Sequence, residues 1–135
     1  MPDVTIDWVG IVVAVVAAMV IGGLWYGPLF GASWAAYTGK SRQELRARAP
    51  IGYGLALLGA FLSALILTYV TQWAGAGGDY LEGVAIGAVM WLGFVVPRRV
   101  TGGALEAQPW GHVMLDAGNA LAMFMVVGGI VAAFA

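Results

Sequence analysis

The stretch WVGIVVAVVAAMVIGGLWYGPLF, residues 8–30, carries no charged side chain. As a helix rising about 1.5 Å per residue it is about 35 Å long, enough to cross a bilayer core of about 30 Å. Residues 51–73 repeat the pattern, and residues 110–134 do so with one carboxylate inside. A third apolar run, 83–96, is shorter. Begun at Tyr80, with Glu82 in its first turn, and carried to Pro97, it reaches about 27 Å and spans as well. The composition agrees, at 61% hydrophobic and 10% charged, where soluble domains carry about 25% charge. The 135 residues read as one all-α domain, an integral membrane bundle of four transmembrane helices at 8–30, 51–73, 80–97 and 110–134.

Between these spans the sequence is punctuated. Ser41-Arg42-Gln43-Glu44 fits a capping box and predicts a short interfacial helix over 42–49, with Arg42 and Arg46 one turn apart. Pro50 then opens the second span and Pro109 precedes the fourth. Gly75-Ala76-Gly77-Gly78 predicts a tight turn, and Thr101-Gly102-Gly103 a loose connection. Trp8, Trp25, Tyr26, Trp34, Trp73, Tyr80 and Trp110 fall near span ends, as aromatic belts do. Met1 to Asp7 has no positive charge and the following apolar run exceeds a signal h-region, so the first helix is read as retained.

Charge sets the threading. Lys40, Arg42, Arg46 and Arg48 follow the first span, while Arg98 and Arg99 follow the third, so alternate crossing gathers all six on one side. The positive-inside rule puts segments 38–50 and 98–109 in the cytoplasm of a bacterial inner membrane, and both termini outside. Asp7 and Glu82, at the outer helix starts, suit the macrodipole.

Composition also narrows the chemistry. Six Lys+Arg against seven Asp+Glu leave no basic surface for nucleic acid. Without cysteine there is no disulfide, zinc–thiolate site or thiol nucleophile. A single His with no partner motif points to no metal, no cofactor and no enzyme.

Small residues recur at four-residue spacing: Ala14, Ala18 and Gly22; Gly52, Ala56, Ala60 and Ala64; Gly83 and Gly87; Gly118 with Ala122 and Gly129 with Ala133. In lipid, close backbone approach through such residues is a main source of helix association. The number of small faces suggests a homo-oligomer or a place in a larger membrane complex, with the lipid bilayer as the constant partner. One polar group interrupts the fourth span. His112, Asp116 and Asn119, at i, i+4 and i+7, share a helix face, and Asp116 lies about 9 Å inside Trp110. A carboxylate at that depth needs a partner, a proton or water. Two readings are open: a polar pocket of a small permeation or proton-coupled transport unit, and a hydrogen-bonded lock in a structural or accessory subunit.

Trp8, the Gly22-Gly23-Leu24-Trp25-Tyr26-Gly27-Pro28-Leu29-Phe30-Gly31 run with Trp34, and Leu115-Asp116-Ala117-Gly118 together give the chain a family likeness. It resembles the bacterial domain-of-unknown-function family numbered seventeen-sixty-one. The resemblance implies a small protein of four membrane helices with no assigned activity, and it transfers no function.

Overall fold

The computed structural model describes residues 3–135, apart from the side chain of Arg42. Helix α1 covers Trp8–Leu24 and runs into a π-helical turn at Trp25–Leu29; α2 is Gly31–Thr38 and α3 is Arg42–Trp73. Helix α4 covers Tyr80–Met90, a second π-helical turn Trp91–Val95 follows, and α5 (Val96–Leu105) and α6 (Trp110–Ala133) complete the chain. Among the described residues, four helical stretches are long and apolar enough to cross a membrane: Trp8–Leu29, Gln43–Trp73, Tyr80–Leu105 and Trp110–Ala133.

Side-chain caps start three of these helices, at Ser41 as the sequence signals and at Asp7 and Asp79 as well. The Asp7 carboxylate accepts from the Val9 and Gly10 amides, and that of Asp79 from Leu81 and Glu82, which satisfies amide groups that a helix start leaves open. The Ser41 hydroxyl accepts from the Glu44 amide at 3.2 Å, the expected capping contact. The Gly75 to Gly78 turn forms as predicted, with Gly75 at φ 79° and Gly78 at φ 86°, a region open to glycine at little cost.

The boundaries depart from expectation in three places. The interfacial helix over 42–49 and the second span are one helix, α3, with Pro50 inside it. Pro50 removes the amide that would reach the Arg46 carbonyl, and because this part of α3 is exposed, the cost is not that of a buried break. The first span bends: Gly27 leaves helical geometry at φ −105° and ψ −106°, Pro28 offers no amide, and the chain restarts as α2. The third span does not stop at Pro97, which sits in the first turn of α5, where its missing N–H costs nothing. Thr101-Gly102-Gly103 is therefore helical, not a loose connection. What stops α5 is a Schellman turn: the Gln108 amide donates to the Gly103 carbonyl at 2.8 Å and the Ala107 amide to that of Ala104 at 3.2 Å. Ala107, at φ 53°, takes the left-handed position usually given to glycine.

Long helices alternate in direction. Gln72, at the end of α3, bonds both backbone groups of Thr5 just before α1, and the Gly78 amide reaches the Ala132 carbonyl. Helix α6 is the hub, packing most extensively on α4, then on α1 and α3. Glycine makes the first of these contacts: a Cβ at Gly83 would overlap the Gly128 carbonyl and one at Gly87 the Phe124 carbonyl. These two small residues are thus used inside the chain. The apolar core, with Ile11, Ala14, Ala64, Leu67, Val127 and Val131, occupies the half of the bundle nearer the termini. Thr68 and Thr71 are buried there, their hydroxyls donating to the Ala64 and Leu67 carbonyls. The opposite half is held by polar contacts.

Candidate functional site

Four segments converge on the first turns of α6. Asp116 is the centre. Its Oδ2 accepts from Arg99 Nη2 on α5 at 2.7 Å, and its Oδ1 accepts from the Tyr26 hydroxyl, in the first π-turn, at 2.7 Å. His112 Nε2 stands 3.3 Å from the same Oδ2, one helical turn away. Side-chain exposures of 22% for Arg99 and 25% for Asp116 place the pair at the edge of the bundle rather than in a sealed core.

Each partner is itself positioned. Arg99 Nη1 donates to Gln108 Oε1 at 2.6 Å, and Gln108 Nε2 to Glu106 Oε2 at 3.0 Å. The Schellman turn at Ala107 is what folds Gln108 back over Arg99. Tyr26 packs edge-on against Trp34 of α2, with centroids 5.3 Å apart. His112 lies flat against Tyr37, ring centroids 5.9 Å apart and planes 4° from parallel. Gly111 permits that stack, since a Cβ there would overlap the Tyr37 hydroxyl.

Two indoles clamp the same stretch of backbone. Trp25 Nε1 donates to the Leu115 carbonyl at 3.0 Å, and Trp91 Nε1 to the Ala117 carbonyl at 2.7 Å. Both tryptophans open a Trp-X-Gly sequence where the helix departs from α geometry. In the first span the chain kinks at Gly27, and in the third the π-turn shifts the register of the side chains that follow by part of a turn; both departures fall where these spans meet α6 beside Asp116.

The three residues expected to form the polar pocket share one face of α6, and two of them, His112 and Asp116, meet directly. Asn119 lies deeper, beside the Tyr26 hydroxyl, and its Oδ1 is buried with no hydrogen-bond partner. Sequence reasoning missed the donors. In the sequence Arg99 reads only as a topology signal, and Trp25 and Tyr26 as belt residues, whereas all three turn into the bundle. Depth arithmetic contained the clue, because alternate threading brings the end of the first span, the end of the third and the start of the fourth to one level. Among the described residues, no group of three or more His, Cys, Asp or Glu side chains is placed to hold a metal ion.

Chemically, the arrangement holds one carboxylate in a fixed orientation with charge-assisted hydrogen bonds from two other segments. No curated protein and no solved structure matches the chain. Residues 9–132 match the family model described as a protein of unknown function (DUF1761), and the chain belongs to that family.

Proposed function

We propose that this protein is a structural or accessory subunit of a bacterial inner membrane, in which the Asp116 cluster locks the bundle and outward glycine faces receive a partner helix. The observation that carries the reading is that both oxygens of Asp116 are taken by side chains from other segments, Arg99 and Tyr26. A carrier carboxylate must release its partner to bind a proton or cation from water, and here release would break the contacts that join α1, α5 and α6. A Cβ at Gly22, Gly23, Gly52, Gly54 or Gly59 meets nothing within 4 Å. Small outward faces of this kind are where another helix can approach closely, and a second copy of the chain is the simplest occupant, with a larger membrane complex as the other. Arg98 and Arg99 lie at the same end of the bundle as the α6 start, which supports threading with segments 38–50 and 98–109 in the cytoplasm and both termini outside.

One observation favours a second reading, a permeation unit. The unpartnered, buried Asn119 Oδ1 lies inward of Asp116, next to Tyr26, so a broken line of polar groups enters the bundle. Reconstitution separates the two. Vesicles of bacterial phospholipid with a trapped pH dye report proton flux, and stepwise photobleaching of labelled protein in the same vesicles reports copy number. The structural reading expects flux equal to empty vesicles and more than one copy per assembly. Flux above that background which disappears in Asp116→Asn would overturn it in favour of permeation.

A further inference from the structure

Beside the ion pair the surface dips into a shallow groove lined by Phe94, Val95, Arg98, Arg99, Gly102 and Glu106. The groove has an apolar part on the second π-helical turn, at Phe94 and Val95, and a polar part that follows it on α5. Phe94 is 72% exposed, within a stretch apolar enough to cross a membrane. Arg98 follows one turn later and Gly102 one turn after that, so the three line one side of the helix. At Gly102 the groove is open, because a Cβ there meets nothing within 4 Å.

Its charges are unequal. Arg99 gives one N–H to Asp116 and one to Gln108, while a guanidinium has five. Arg98 is exposed and, among the described residues, pairs with no carboxylate. Glu106 lies two turns beyond Arg98 and accepts from the Gln108 side-chain Nε2. It repels an anion from its own end and leaves the Arg98 end as the electropositive one. The groove therefore offers guanidinium donors at one level and an aromatic surface deeper in the span.

We propose that this groove binds an anionic phospholipid, its phosphate on Arg98 and the remaining N–H groups of Arg99, its acyl chain over Phe94 and Val95. The commitment to a lipid rests on Phe94: a soluble phosphate gains nothing from an exposed aromatic ring one turn deeper than the arginine, whereas an acyl chain attached to the phosphate covers it. The site is independent of whether the bundle is a structural subunit or a permeation unit, and needs only that the helices cross a bilayer.

Delipidated protein in a neutral detergent, titrated with phosphatidylglycerol and with phosphatidylcholine of the same acyl chains and followed by native mass spectrometry, tests it. The expected result is phosphatidylglycerol binding about tenfold tighter than phosphatidylcholine. Arg98→Gln should abolish that preference. Gly102→Leu, which fills the open notch without touching a charge, should weaken phosphatidylglycerol binding by a similar factor. Lys40→Gln, which removes an exposed cation outside the groove, should change it less than about twofold, since a neutral micelle has no leaflet potential. Equal affinity for the two lipids would overturn the proposal, as would a loss with Lys40→Gln as large as with Arg98→Gln. Displacement of phosphatidylglycerol by glycerol phosphate at equal concentration would overturn the lipid assignment and leave a site for soluble phosphate. Arg98 and Gly102 make none of the contacts that hold the bundle, so both variants are expected to fold, and their thermal unfolding in the same detergent checks this.

Discussion

Arg99 and Asp116 stand seventeen residues apart in the chain and meet at 2.7 Å. Each comes from a different helix, and the turn between those helices supplies Gln108, which holds the second nitrogen of the same guanidinium at 2.6 Å. The ion pair thus closes the hairpin of α5 and α6, and Tyr26 ties that hairpin to the first span.

Arg99→Gln and Asp116→Asn should each lower stability by about 1–3 kcal/mol, and the double variant should cost about 1 kcal/mol less than the sum. The larger penalty for a fully buried pair is not expected, because both side chains are about a quarter exposed. Equilibrium unfolding in mixed micelles of the four proteins measures the coupling, and strictly additive costs would refute a lock.

Glycines on α4 and on the outer faces should respond in opposite ways. Gly87→Ala must part α4 from α6, because the new methyl overlaps the Phe124 carbonyl, and overpacking of this kind costs about 1–3 kcal/mol. Gly59→Ala meets nothing within 4 Å and should be neutral or stabilise slightly, since alanine favours the helix by up to about 1 kcal/mol. Thermal unfolding in detergent compares them. If Gly59→Leu leaves copy number in vesicles unchanged, that face is not the one that receives a partner helix.

Gly111→Ala should push Tyr37 off His112. The defect belongs to Tyr37, so adding Tyr37→Ala should remove most of it. Imidazole proton and nitrogen shifts of His112, the only histidine, report the stack directly. Loss of the stacked ring should shift His112 alike in Gly111→Ala and in the double variant, and a His112 spectrum that Gly111→Ala leaves unchanged would contradict the contact.

Ala107→Gly should stabilise. A left-handed conformation costs an L residue about 1–2 kcal/mol, and glycine gives back part of the gain, about 0.5–1 kcal/mol, through chain entropy. The net expectation is a rise of up to about 1 kcal/mol, visible as a higher melting temperature. Ala107→Val should lower it, because branching at Cβ worsens the same clash.

Much of the architecture was legible from sequence, because the features that carry it are local. Length and the absence of charge mark the four apolar helices, and Asp7, Ser41 and Asp79 cap through amides two or three residues ahead. The Gly75 to Gly78 turn rests on glycine's tolerance of positive φ, and the i, i+4 contact of His112 with Asp116 follows from helix geometry. Other features needed the folded chain. Pro50 and Pro97 signal helix ends, yet one lies inside α3 and the other in the first turn of α5, while Ala107 ends α5 with no glycine to announce it. Nothing near Asp116 in sequence names Tyr26, ninety residues away, as its hydrogen-bond donor, nor Arg99 as its counter-ion. Hydropathy and the local caps are decided within a few residues, so sequence alone determined the four apolar spans and where most of them start. The partners of a carboxylate are decided by which helix ends reach the same level and face inward, and that only the packing of α1, α4 and α5 around α6 determined.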